Sequence, residues 1–244
     1  MRPPRDLVLP VLVMGWIGTG GLLDHDAGIW QQRGVGVATW LVLLALLRGE
    51  SRAVRIQVGV VIVVATCVEY TASPLLGLYT YRLHNVPAYV PPGHGMVYLA
   101  ALSIGRSALA DRNRRLFVSA AVALCGLWAL WGITLSSRSD VLGAVLFVFL
   151  VRFALVGRAP LVYAGAFIVT SYLELVGTGL GAWTWAHHDP TGLLSIGNPP
   201  SGIPGGYCFL DAAAMALAPR AARLLERVRP AAVTAIPALA RETR

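Results

Sequence analysis

Residues 69–95 read EYTASPLLGLYTYRLHNVPAYVPPGHG, and residues 174–207 read ELVGTGLGAWTWAHHDPTGLLSIGNPPSGIPGGY. In each stretch, a glutamate near the end of an apolar run is followed by an aromatic-x-aromatic motif. A Pro-Gly pair then opens the next apolar run. Glutamate is costly inside a hydrophobic run unless it has a partner or a function. The recurrence therefore predicts an internal repeat with a paired site.

The composition is typical of a polytopic membrane protein. Among 244 residues, 56% are hydrophobic and 13% are charged, and the mean hydropathy is +0.65. Such a composition excludes an ordinary soluble globular domain. We expect an all-α fold, a polytopic transmembrane bundle of about eight helices. The apolar stretches lie at 7–23, 34–48, 54–73, 95–110, 116–136, 140–157, 160–178 and 204–219.

The eight expected helices divide into two halves of four. An even number of helices in each half makes the repeats parallel rather than inverted. We therefore expect one transmembrane domain over residues 1–219, with repeat one at about 1–110 and repeat two at about 111–219. Residues 220–244 are expected to form a basic cytoplasmic tail that begins as a short surface helix.

Two long outer loops, at 74–94 and 179–203, are rich in proline and aromatic residues. Two interpretations are open. Tyr and Trp favour the membrane interface, so the loops can form aromatic belts. Alternatively, they fold back over the bundle as re-entrant-type loops and roof a cavity, because non-helical backbone is tolerated at membrane depth where protein buries it.

The basic residues are sorted by side. All twenty are arginine, and seventeen of them fall at alternate helix ends. The positive-inside rule then places both termini in the cytoplasm and the chain in the cell membrane. The same sorting explains the net charge of +8 without a nucleic-acid partner. The arginines expected on the outer side are Arg33, Arg82 and Arg138.

Three carboxyl side chains fall within the apolar stretches, away from their first and last residues. Glu69 and Glu174 each lie about fourteen residues, roughly 21 Å, beyond a cytoplasmic helix start, and Asp211 lies roughly 10 Å in from an outer helix end. These depths overlap, so we expect the three to share one interior space. Apolar surroundings favour the neutral acid, so at least one is expected to act as a general acid. Alternatively, they only hold helices together; Arg82 is the nearest candidate counter-ion.

His94 stands in PPGHG at 91–95, the expected start of the fourth helix. Free N–H groups and the positive end of the helix dipole there would keep the imidazole neutral or let it bind an anionic group. The alternative is a capping histidine that meets water. A metal site is also open, because all five histidines are expected on the outer side. The spacing of the histidines does not favour such a site, since no HxxxH or HExxH pattern occurs, and we assign no metal ligand.

A family resemblance rests on Glu69, the motif GLYTY at 77–81, Val86-Pro87 and an aromatic-rich fourth helix. Together these resemble the membrane carotenoid-biosynthesis family that includes the carotenoid hydratases. More loosely, the chain looks like the lycopene-cyclase-type and small membrane terpene cyclases.

The resemblance covers about residues 60–105, with a weaker echo at 165–215. It implies that a buried carboxylic acid protonates a polyene or isoprenoid double bond. Glu69 matches the family's acidic position, and Asp211 sits where a second acid is plausible. His94 departs from the pattern, because the hydratases would carry a tryptophan-type residue there.

The sequence therefore predicts an integral membrane enzyme of isoprenoid or carotenoid-type lipid metabolism, a cyclase or a hydratase. It requires no cofactor; its partners are the bilayer and a hydrophobic small-molecule substrate, with no nucleic acid. Alternatives are a small proton-coupled transporter or lipid carrier with a site between the repeats, a metal-dependent membrane enzyme, and a scaffold. The candidate catalytic residues are Glu69, Glu174, Asp211 and His94, and the candidate substrate-binding residues are Tyr79, Tyr81, Arg82, Trp183 and Trp185.

Overall fold

The computed structural model describes residues 5–239, with side chains described up to residue 227. The chain is mostly helical, at 75%. A π-helical turn, Thr71–Leu75, and a two-stranded sheet, β1 (Tyr79–Tyr81) and β2 (Trp183–Trp185), complete the regular structure of the described part. The helices are α1 (Arg5–Asp24), α2 (Ile29–Leu47), α3 (Arg52–Tyr70), α4 (Val90–Arg106), α5 (Ala108–Arg112), α6 (Arg114–Thr134), α7 (Val141–Val156), α8 (Pro160–Gly179) and α9 (Ile203–Leu239).

Four helical segments are long and apolar enough to cross a membrane by length and composition. They are Arg5–His25, Arg52–Leu75, Arg114–Thr134 and Pro160–Gly179. Many leucines, valines and other large apolar side chains on these helices are exposed, as expected for helices that face lipid rather than water. The prediction of a helical membrane protein is therefore confirmed at this level.

Two helices differ from their expected bounds. α4 begins at Val90 rather than at 95, because two prolines fit its first turn, where a backbone N–H has no partner within the helix. α9 continues to Leu239, well past the apolar run that was expected to end at 219. Alanine and arginine are good helix formers, which lets the helix extend into the basic segment. Residues 240–244 of the expected tail lie outside the described part.

An ion-pair cluster ties together one end of the bundle, which we call the arginine end. Arg106, at the end of α4, donates from Nε to Asp6 Oδ1 at 2.7 Å and from Nη1 and Nη2 to the Glu50 carboxylate at 2.7 Å. Arg5 Nη2 lies 3.3 Å from Glu50 Oε1. These contacts join the start of α1, the α2–α3 connection and the end of α4.

The opposite end carries the small sheet, in which the two recurring motifs pair with each other. β1 and β2 are antiparallel, with Tyr79 opposite Trp185 and Tyr81 opposite Trp183. Gly77 and Gly181 each precede their strand by two residues and have φ of +65° and +69°. Residues with a Cβ rarely adopt such a conformation. Each of the two segments therefore turns into its strand at a glycine.

α4 and α8 pack closely against each other through two glycines. A Cβ on Gly105 would lie 2.8 Å from Val162 N, and one on Gly165 would lie 2.7 Å from Ala101 O. Small residues at a helix interface allow this approach of the backbones. The packing places the helix that carries His94 beside the helix that carries Glu174.

Candidate functional site

A cavity of about 480 Å³ lies beneath the sheet, at the end of the bundle opposite the arginine cluster. Most of its lining is apolar, with Ile17, Val97 and Leu173 as examples. The volume falls in the range of small-molecule sites. The polar and aromatic groups in its lining include Glu69, His94, Glu174, Tyr207, Tyr79, Tyr81, Trp183 and Trp185.

Glu69 lies near the end of α3 and is held by three side chains. The hydroxyls of Tyr79 and Tyr81 each lie 2.7 Å from Oε2, and His94 Nε2 lies 2.8 Å from Oε1. The carboxyl is only 7% exposed. Both of its oxygens are therefore occupied, an arrangement that fits a fixed carboxylate surrounded by donors.

The two tyrosines are suited to remain donors. Burial first, and then the neighbouring Glu69, hold the pKa of both Tyr79 and Tyr81 well above its usual range. Neither hydroxyl loses its proton at physiological pH. Their rings pack edge to face with centroids 5.7 Å apart, and Tyr79 also lies 4.6 Å from the ring of Trp185.

Glu174 lies on α8 and is held differently. The indole N–H groups of Trp183 and Trp185 both donate to Oε2, each at 3.1 Å. No hydrogen bond to Oε1 is found among the described residues. Indole can only donate, so an oxygen that accepts two such bonds suits the carbonyl of a neutral acid as well as a carboxylate. The other oxygen is then free to carry a proton.

His94 does not stand at the helix start, because α4 already begins at Val90. It lies one turn inside, is 8% exposed, and stacks on Tyr207 with ring centroids 5.3 Å apart. The interpretation of a water-exposed cap is therefore wrong, and the anionic group that the imidazole contacts is Glu69, from within the helix rather than from its start. His94 Nδ1 is buried and has no hydrogen-bond partner among the described groups.

Asp211 does not share the cavity. The described lining contains Glu69 and Glu174 but not Asp211, so the expectation of one space for three carboxyls is wrong for the third. Asp211 lies one turn beyond Tyr207 on α9, on the same helix face, and Tyr207 lines the cavity in its place. The Asp211 side chain is buried, and its Oδ2 has no hydrogen-bond partner in the described part of the chain.

Arg82 is not a counter-ion of the glutamates, and that expectation is also wrong. Its guanidinium donates to the backbone oxygens of Asp24 and Ala27 and lies 3.5 Å from Asp24 Oδ1. Successive side chains of a strand point to opposite faces. Tyr79 and Tyr81 point to the cavity, so Arg82 points the other way and anchors the loop to the end of α1.

A metal centre is not formed by the described residues. No group of three or more His, Cys, Asp or Glu side chains among them lies close enough together to hold an ion. His188 instead forms an isolated bridge with Ser195 in the loop after β2.

One residue of the site was not singled out as a candidate from the sequence. Tyr207 stacks on His94 and lines the same cavity as Glu69 and Glu174. When Pro92 of the first stretch is aligned with Pro204 of the second, Tyr207 falls at the position of Gly95, so the repeat did not indicate its importance. A tyrosine opening a buried helix was the available signal, because a buried hydroxyl needs a polar neighbour.

Chemically, the site combines an aromatic-walled apolar cavity with two carboxyls of different character. One is a fully bonded glutamate joined to a histidine, and the other has one oxygen without a hydrogen bond among the described residues. Such a pair can supply an acid and a base to an apolar ligand. Comparison with protein-family models, with curated proteins and with solved structures finds no match to this chain. The resemblance to carotenoid-biosynthesis proteins stays a prediction.

Proposed function

We propose that this chain is an integral membrane enzyme of isoprenoid or carotenoid-type lipid metabolism that protonates a carbon–carbon double bond. The observation that carries the proposal is the pair of buried glutamates, each bonded by two aromatic side chains, in one apolar cavity. Carboxyls in such surroundings are costly without a function. A cavity with a mostly apolar lining favours a lipid-like substrate.

In this proposal, Glu174 is the acid. Its Oε2 accepts both indole N–H groups as a carbonyl, and its Oε1 carries the proton that passes to the alkene. The electron pair of the double bond forms the new C–H bond, which leaves a carbocation at the neighbouring carbon. The faces of Tyr79, Tyr81, Trp183 and Trp185 stabilise this positive charge by cation–π attraction.

Glu69 is the fixed anion of the site, and His94 is the base. The Glu69 carboxylate, held by two tyrosines, stabilises the carbocation across the cavity and orients the imidazole through Nε2. His94 Nδ1 then accepts the proton that the carbocation releases on forming a ring. If a water molecule is admitted, His94 accepts its proton and the product is an alcohol. This reverses the expectation that Glu69 is the acid.

The membrane arrangement belongs to the same proposal. Eight spans in two parallel repeats, with both termini in the cytoplasm, would place the cavity at the outer side of the cell membrane and the arginine end at the inner side. The resemblance over about residues 60–105 to the carotenoid hydratases supports the choice of a polyene substrate.

A proton-coupled carrier is the second candidate. A carrier needs its glutamates to be reached from both sides of the membrane, whereas an enzyme needs access from lipid or from one face. The described cavity lies at one end of the bundle, which favours the enzyme.

The test compares lipid extracts of cells that produce the wild-type chain with those of cells that produce Glu174→Gln. We expect a species that is isomeric with its precursor, or heavier by one water, to be present with the wild type and missing with the variant. Glu226→Gln is the matched control, because Glu226 is exposed and pairs with Arg52 at the arginine end. Identical extracts from all three strains would refute the enzyme proposal.

A further inference from the structure

The connection between α6 and α7 carries an arginine that bonds to the end of β2. Arg138 is one of the three arginines expected on the outer side. Its Nε donates to Ile196 O at 2.6 Å, and its Nη2 donates to Trp185 O at 2.6 Å and to Ala186 O at 2.5 Å. The guanidinium is thereby bound to three backbone carbonyl groups, one of them in the strand whose indoles hold Glu174.

Trp185 depends on bonds from outside the sheet because of its place in the strand. Alternate residue pairs of an antiparallel sheet exchange backbone hydrogen bonds. Ala186 N donates to Leu78 O at 2.9 Å, so in the next pair the backbone groups of Trp185 point away from β1. The Trp185 N–H donates instead to Asn198 Oδ1 at 3.0 Å, and its carbonyl accepts from Arg138. Both backbone groups of this residue are therefore fixed by side chains.

The same connection also fixes the segment that carries Asn198. Asp140, at the start of α7, is 3% exposed. Its Oδ1 accepts from Gly197 N at 2.9 Å, and its Oδ2 accepts from the backbone N–H and the hydroxyl of Ser201, both at 2.7 Å. Hydrogen bonds to a carboxylate are strong, so the segment is firmly held. The α6–α7 connection thus reaches Trp185 twice, directly through its arginine and indirectly through this segment.

We infer that Arg138 is a positioning residue for the proposed acid: by holding the backbone of Trp185, it keeps the indole N–H on Oε2 of Glu174. The inference rests on the proposed function, in which Glu174 gives its proton from Oε1. An indole has a single N–H on a rigid ring, so a displaced backbone moves that donor away from its acceptor. Arg138 is not among the described residues that line the cavity, so it acts through Trp185 and not on the ligand.

The sheet by itself gives the indole little support. Each strand has three residues, and a two-stranded sheet is marginally stable alone. An arginine suits the task because its planar guanidinium presents several donors in fixed directions to carbonyl groups that lie close together. Without the Trp185 bond, Oε2 of Glu174 keeps only the N–H of Trp183, and the proton is no longer confined to Oε1.

Trp183 provides an internal comparison. Its indole donates to the same oxygen of Glu174 at the same distance of 3.1 Å. No side chain in the described part of the chain bonds to its backbone groups. A variant of Arg138 should therefore affect the two indoles unequally, whereas a general loosening of the fold would affect both.

Exchange of the indole protons tests the inference without a substrate. The chain is produced with isotope-labelled tryptophan, placed in lipid nanodiscs and transferred to D₂O, and Trp183→Phe and Trp185→Phe assign the two NMR signals. In Arg138→Gln, we expect the Trp185 indole proton to exchange faster by about tenfold or more, and the Trp183 proton to change by less than about threefold. Arg33→Gln is the control, because Arg33 is exposed and lies over the ring of Trp30. Both protons should keep the wild-type rate in it.

Asn198 gives a second and milder test, because its side chain is exposed. Asn198→Ala removes the acceptor of the Trp185 N–H and should also speed exchange of the Trp185 indole proton, by about threefold or more. Asn198→Asp keeps an acceptor oxygen at the same place and should stay within about twofold of the wild-type rate. This pair keeps the inference testable if Arg138→Gln does not fold.

Two results would overturn the inference. One is a Trp185 indole proton that exchanges at the wild-type rate in either Arg138→Gln or Asn198→Ala. The other is equal acceleration of both indole protons, which an arginine with a purely structural role would produce. The enzyme proposal fails separately, through identical lipid extracts of the wild type and Glu174→Gln. Selective acceleration at Trp185 with identical extracts would uphold the positioning role and reject only the reaction.

Discussion

The two glutamates stand at corresponding places in one scaffold, yet they are bonded in different ways. Each glutamate is followed along the chain by a glycine with positive φ and then by a strand with two aromatic residues. Glu69 has both oxygens occupied by two tyrosines and His94, whereas Glu174 receives two indole N–H groups on one oxygen. The difference indicates that a shared framework supports two roles, a fixed anion and a proton donor.

The chemistry of the hydrogen-bond donors explains why the two glutamates differ. Tyrosine and histidine give strong hydrogen bonds to a carboxylate, and such charge-assisted bonds are about twice as strong as neutral ones. Indole bonds at 3.1 Å are longer and leave Oε1 of Glu174 free of any bond among the described groups. A carboxyl with a free oxygen is the better proton donor to an apolar ligand.

The largest expected effect is a difference in stability between variants of the two glutamates. Glu69→Gln removes the charge from a buried, fully bonded group and should lower the free energy of unfolding by about 3 kcal/mol. Glu174→Gln replaces a neutral acid by a neutral amide of the same shape and should change it by less than about 1 kcal/mol. Thermal unfolding in one detergent measures both. Equal losses in the two variants would contradict the assigned roles.

A smaller effect is expected at His94. His94→Ala leaves Oε1 of Glu69 without its partner and should lower the unfolding free energy by about 2 kcal/mol. Turnover should fall on the order of 100-fold, because the base is lost. His94→Gln, which can still donate to Glu69, should recover most of the stability and none of the turnover. Rescue of His94→Ala by a divalent metal would instead support a metal enzyme.

The smallest effect compares two buried tyrosine hydroxyls. Tyr81→Phe removes one of two hydroxyl bonds to the same carboxylate oxygen and should cost about 1.5 kcal/mol of unfolding free energy. Tyr98→Phe is the matched control, because its hydroxyl has no partner among the described residues and its loss should be neutral or slightly stabilising. Chemical unfolding of both variants under identical conditions measures the difference. A larger loss for Tyr98→Phe than for Tyr81→Phe would contradict the hydrogen-bonding pattern.

Much of the scaffold follows from the sequence. Long apolar runs predict helices because backbone groups in lipid must be bonded within the segment. The recurring motifs predicted a paired site, and the structure pairs Tyr79 with Trp185 across β1 and β2. A three-residue strand carries no periodicity of its own, so only the repeat could reveal it.

The partners of individual polar groups could not be read from the sequence in the same way. Arg82 bonds to the end of α1, 55 and 58 positions away in the chain, rather than to the nearby glutamate. Asp211 does not reach the cavity, because Tyr207, one turn before it on α9, lines that part of the cavity. These contacts depend on the orientation of each helix about its own axis. That orientation is set by packing against neighbouring helices rather than by the local sequence.

The division of roles between the two glutamates is tested most directly by an infrared spectrum of the purified chain at neutral pH. Asp211→Asn serves as the background, so that the glutamates dominate the protonated-carboxyl region. We expect a band that is absent after Glu174→Gln and persists after Glu69→Gln. A band that is lost in Glu69→Gln and retained in Glu174→Gln would show that the roles are reversed, and it would contradict the account.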